Sequence, residues 1–164
     1  MKNSQPVTQP VAERRSAEAQ LRALVARFAP AHRRLIGAIR GSLRKRLRTA
    51  HELVYEYRDC FVISYSPNEH GYEGVFALRA SADGVKLYFN RGKGLPDPEK
   101  LLQGAGGQTR WIHMEGASTL ARPAVARLVE EALARNRAPF ASGGRGPVVV
   151  RATVAKRRRQ PRRA

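Results

Sequence analysis

The stretch Val75-Phe76-Ala77-Leu78-Arg79-Ala80-Ser81-Ala82-Asp83-Gly84-Val85-Lys86-Leu87-Tyr88-Phe89-Asn90 decides the fold. Two runs, Val75 to Ala80 and Val85 to Asn90, carry the β-branched and aromatic residues that strands prefer. Asp83-Gly84 between them is a two-residue hairpin signal. Upstream, Leu53, Tyr55 and Tyr57 alternate with Val54, Glu56 and Arg58, and Phe61, Ile63 and Tyr65 follow in a second run. Asp59 and Cys60 suit a tight hairpin between these two, and Pro67 to Gly71 a longer turn. The pattern predicts a four-stranded antiparallel meander. Its alternation places Leu53, Tyr55 and Tyr57 toward the core and Glu52 and Glu56 toward solvent.

Downstream, Asp97 is placed as an N-cap, Pro98 as a first helical residue and Gly104 as a stop, which predicts a short helix. Thr109 to Met114 reads as a fifth strand. A last helix starts near Pro123, with Val125, Leu128, Val129, Ala132 and Leu133 as its apolar stripe. Ser142 to Pro147 reads as a glycine-rich linker, and Val148 to Val154 fits either a late strand or part of a tail. Before the meander, Leu21, Leu24, Val25 and Phe28 mark a helix over Ala17 to Ala29, and Pro30 separates it from a second over Ala31 to Arg48. The expected architecture is α+β: an antiparallel sheet of about five strands with helices packed on one face. The expected organisation is a disordered arm over 1–16, one domain over 17–138, and a linker with a largely disordered basic tail over 139–164.

The net charge of +18 is unevenly placed. Residues 30–48 hold seven cations and no acid, residues 49–144 hold 11 of each sign, and residues 145–164 hold eight cations and no acid. On the second helix, Leu35, Ile36, Ile39, Leu43 and Leu47 share one face. The helical wheel is read as setting Arg33, Arg34, Arg40, Arg44, Lys45 and Arg48 opposite them. With Lys156, Arg157, Arg158 and Arg159 of the tail, they are candidates for salt-dependent contact with phosphates of RNA or DNA. The bland alternative is a solvated helix face and a solubilising tail. No base-reading motif or aromatic stacking set accompanies them, so the contact is expected to be non-specific.

A second candidate is a small anionic ligand held near the glycine turns by Tyr55, Arg91, Lys93, Gln108, Arg110 and His113. The competing reading is plain turn chemistry, and the Walker spacing is absent. The histidines, His32, His51, His70 and His113, include no pair at i and i+4, so a helical metal pair is missing. The single cysteine, Cys60, excludes an internal disulfide and has no neighbouring base in sequence. No catalytic acid–base pair, cofactor site or metal site is expected. A monomer without a membrane span or signal peptide is expected in the cytoplasm, with nucleic acid or another polyanion as partner.

Residues 17–136 resemble the YdhG-like family, a bacterial domain family of unknown function. Phe89, Gly92, Leu95-Pro96-Asp97-Pro98, Leu101-Leu102, Gly104, Gly106, Arg110 and Ile112 carry the resemblance, with the Arg122-Pro123-Ala124-Val125 helix start. It implies helices on an antiparallel sheet and, through a frataxin-like relative, offers iron carriage. Iron carriage needs a ridge of carboxylates. Glu13 and Glu18 stand instead among Arg14, Arg15, Arg22 and Arg27, which repel a cation.

Overall fold

The computed structural model describes residues 8–152. Helices α1 (Val11–Val25) and α2 (Pro30–Arg46) lead into strands β1 (His51–Glu56), β2 (Cys60–Ser66), β3 (Phe76–Ser81), β4 (Gly84–Phe89) and β5 (Arg110–His113). Helix α3 (Pro123–Ala134) and strand β6 (Val148–Ala152) complete the chain of elements. The fold is α+β, with strand order β5-β4-β3-β2-β1-β6. The first five strands form the expected antiparallel meander. β6 runs parallel to β1 and makes the sheet mixed and six-stranded. The β3–β4 hairpin closes through Ala82 and Asp83, and Ser81 pairs with Gly84, whose φ of 127° suits glycine.

All three helices bury their stripes against one sheet face. Leu21 and Leu24 of α1, Ile36, Ile39 and Leu43 of α2, and Val125, Leu128 and Val129 of α3 join Val54, Phe61, Ile63, Tyr65, Phe76, Leu78, Val85, Leu87 and Phe89 in one core. Within β1 the faces are the reverse of the expectation. Glu52 and Val54 turn toward the helices, with Glu52 only 4% exposed, while Tyr55 turns away. A shift of one residue exchanges the two sides of a strand, and the apolar run Leu53-Val54-Tyr55 fits either setting. Leu53 is buried on the far side, where its methyl lies near Gly71 of the 67–74 loop.

Two boundaries also differ. α1 begins at Val11, inside the arm expected to be disordered. The Gln9 side chain donates to the Val148 carbonyl at 2.6 Å and accepts from the Val148 N–H at 3.0 Å. The Arg14 guanidinium donates to the Gly146 carbonyl at 3.0 Å. These long-range bonds hold a segment that has no apolar stripe to announce it. The residues after Asp97 form a capped turn and no helix. The Asp97 carboxylate accepts from the N–H groups of Leu101 and Leu102 at 2.9 and 2.8 Å. Lys100 then takes φ 52°, and Gln103 bridges to Trp111. The cap chemistry was legible, but one capped turn does not repay helix nucleation when the next residues are drawn to the sheet.

β6 docks through Gly146. Its N–H donates to the Arg48 carbonyl at 3.0 Å, and a Cβ there would lie 1.8 Å from the Ala50 carbonyl oxygen. Only glycine admits that approach. Among the described residues no helix is long and apolar enough to cross a membrane.

Candidate functional site

The cations of α2, taken with Arg48 two residues past its end, divide into two sets. Arg40 follows the core residue Ile39 and, at 100° per residue, lies only about 20° from Leu47 on the wheel. It therefore borders the apolar stripe and reaches under α1. Its Nε donates to Glu52 at 2.9 Å, while Nη1 and Nη2 donate to Glu18 at 3.0 and 2.9 Å. Arg44, one turn on, lies 3.4 Å from both Glu18 and Glu52. The Tyr65 hydroxyl, fully buried, donates to Glu52 at 3.2 Å. Arg40 and Arg44 thus leave the expected polyanion set: their charge is spent on internal acids.

The electrostatics follow from that geometry. Burial works to raise the Glu18 carboxyl, but the hydrogen bonds and charge of Arg40, helped by Arg44 and Arg14, hold it below the usual carboxylate value of 4.5. Burial works against the charged Arg40 guanidinium, and its hydrogen bonds to Glu18 and Glu52 raise it nonetheless. Burial, then the charge of Glu52, pushes the Tyr65 phenol well above its usual value.

The second set faces outward. Arg33, Arg34, Lys45 and Arg48 are exposed, and none makes an ion pair with a described residue. Arg46, on the other flank, approaches Glu130 of α3 at 3.8 Å. Lys45 and Arg48 join Arg44 and Arg145 around a cleft of about 320 Å³ whose one acid is the paired Glu52. Lys156, Arg157, Arg158 and Arg159 lie outside the described residues.

The residues proposed around the glycine turns do not converge. Tyr55 and His113 stand on β1 and β5, with three strands between them, a separation of about 19 Å at 4.8 Å per step. Arg110 donates to the carbonyls of Gly106 and Thr109 in its own loop at 2.7 and 2.8 Å. Arg91 reaches Asn136 beyond α3 at 3.3 Å. The Lys93 N–H and the Gln108 carbonyl pair through backbone at 2.9 Å. These groups serve turns, which removes the shared pocket.

A larger cleft, about 600 Å³, escaped the sequence reading because distant segments build it: Gln9, His51, His70, Arg145 and Arg151 line it. His51 is 8% exposed and its Nδ1 has no partner. Burial lowers its pKa below the usual 6.5, Arg151 adds to this, and Glu69 opposes it. Glu13 and Glu69 also line the cleft, so its charge is of mixed sign. Among the described residues no group of three or more His, Cys, Asp or Glu side chains is placed to hold a metal ion. Comparison with protein-family models, curated proteins and solved structures finds no match to this chain.

Proposed function

We propose that this protein is a non-enzymatic domain of YdhG-like type that holds a polyanion, RNA or DNA, through the outward cations of α2 and the adjoining Arg48. The observation that carries the reading is the division of α2. Arg40 and Arg44 are consumed by Glu18 and Glu52, whereas Arg33, Arg34, Lys45 and Arg48 stand exposed with no acid against them. Lys45 and Arg48 also suit the negative end of the helix dipole, so their presence has a folding use. Arg33 and Arg34 have none: they lie near the positive end of α2, whose first turn holds no acid. Charges that cost the helix something fit a role in holding phosphate. Arg145 extends the basic surface, and the basic run from Lys156 begins a few residues after Ala152.

Titration of the full chain with RNA and DNA across a salt series tests the proposal. Replacing Arg33, Arg34, Lys45 and Arg48 together by Gln should lower the slope of log affinity against log salt by about 3. An unchanged slope would remove α2 from the interface.

A further inference from the structure

The sheet face turned away from the helices carries a second surface, and its pattern is set by strand register. One cross-strand row runs Tyr55, Val62, Arg79, Lys86, His113. The neighbouring row runs Leu53, Ser64, Ala77, Tyr88, Trp111. Tyr88 and Trp111 are directly opposed, their ring centroids 6.5 Å apart with 38° between planes. The Lys86 ammonium sits 4.0 Å from the Trp111 ring centroid. Arg79 is paired in register with Lys86 and makes no hydrogen bond or ion pair with any described residue. No acid occurs in either row.

Like charges directly opposed across two strands destabilise a sheet. Arg79 and Lys86 therefore bring the fold a cost, and no described acid offsets it. The half-buried rings of Tyr88 and Trp111 stand beside small Ala77 in the register, while at the other end of the face Tyr55, Leu53 and Ser64 lie against Gly71 and Gly74 of the 67–74 loop. A shallow groove of about 370 Å³ crosses this face over Val62, Ala77, Arg79 and Tyr88. Half-buried aromatic rings beside Arg79, which has no described partner, and Lys86, which rests on Trp111, suit bases that are free to stack and phosphates beside them. A duplex hides its base faces, and an apolar partner would leave Arg79 without an anion.

We infer that this face binds single-stranded nucleic acid, stacking bases on Tyr88 and Trp111 and placing phosphates at Arg79 and Lys86. The inference goes beyond the polyanion reading, because α2 would hold phosphates of any polyanion while the sheet requires bases. The two surfaces lie on opposite sides of the sheet and are tested apart.

Trp111 is the chain's single tryptophan and reports directly. The full chain is titrated at low salt with oligo(rU), oligo(dT), a DNA duplex and inorganic polyphosphate while Trp111 fluorescence and affinity are followed. Both single strands should quench Trp111, and polyphosphate should bind without quenching. Tyr88→Ala should weaken the single strands about 5- to 150-fold, the equivalent of about 1–3 kcal/mol for one stacked base. It should leave polyphosphate affinity unchanged, which also shows that the variant folds, and Tyr88→Phe should restore single-strand affinity. Absent quenching, equal quenching by polyphosphate, or a Tyr88→Ala variant that binds single strands normally would overturn the inference while the polyanion reading stands. Loss of single-strand binding in Tyr88→Ala, with no effect of the four α2 substitutions on any ligand, would uphold the sheet and overturn the helix. If neither polyphosphate nor any nucleic acid binds, both fall.

Discussion

Arg40 and Lys45 lie five residues apart on one helix, and their positions give identical charges opposite physical roles. Arg40 borders the core, with its side chain 14% exposed, and completes a network with Glu18, Glu52, Arg44 and Tyr65. Lys45 stands in solvent with no described partner. The difference teaches that a count of cations overstates what a helix offers a ligand. Angle on the wheel alone does not sort them: Arg33 lies as near the apolar stripe as Arg44 does, yet only Arg40 and Arg44 stand where Glu18 and Glu52 meet them. The difference also shows what Arg40 does for α1: it makes the closest ion pairs to both Glu18 and Glu52, and without it only the longer 3.4 Å contacts of Arg44 would offset the two carboxylates.

The widest gap between the two positions should appear in stability. Arg40→Ala strands two carboxylates under α1 and should cost about 3–5 kcal/mol in urea unfolding, whereas Lys45→Gln should stay within about 0.5 kcal/mol. Equal effects would erase the distinction. Adding Glu52→Gln to Arg40→Ala should recover part of the loss, because it removes one uncompensated charge.

Acid should separate the regions less strongly. The folded Glu18 carboxyl lies below its usual value of 4.5, so the unfolded chain binds more protons in that range. The contribution of Glu18 is fully present above the unfolded pKa and is lost as pH falls through the folded one. The wild type should therefore lose more stability below about pH 4.5 than Glu18→Gln does, read from urea midpoints between pH 3 and 6. A parallel decline in both chains would place the network's energy elsewhere.

The smallest effect belongs to the open sheet face. Arg79→Gln relieves the opposition with Lys86 and should leave stability unchanged or raise it by about 0.2–1 kcal/mol. A clear loss of stability would mean that Arg79 serves the fold, as Arg40 does.

Much of the fold was legible from local pattern. The alternation over residues 53–90 gave the meander, Asp83-Gly84 located the hairpin, and Pro123 marked the start of α3. These signals depend on neighbours in sequence. The start of α1 at Val11 was not legible, since it depends on Gln9 and Arg14 meeting Val148 and Gly146 more than 130 residues away. Asp97 announced its cap correctly, yet the fate of the residues after it was decided by the bridge from Gln103 to Trp111.

The candidate surfaces were less legible than the fold. The basic segment of α2 was visible, but the wheel alone did not reveal that Glu18 and Glu52 would claim Arg40 and Arg44. The aromatic rows were hidden for another reason. Tyr55, Tyr88 and Trp111 lie on three strands spread over more than fifty residues, and only register aligns them. The local alternation of β1 also sets Tyr55 toward the core, the reverse of the side it takes in the sheet.

By itself, the sequence determined three helices and the five-strand meander between them, the β3–β4 hairpin and the concentration of positive charge, because these arise from periodicity, turn chemistry and composition. Tertiary structure decided which side of β1 is buried, which arginines meet acids, and which rings share a sheet face. Those outcomes depend on strand register and on contacts between segments distant in the chain, and no local pattern contains them.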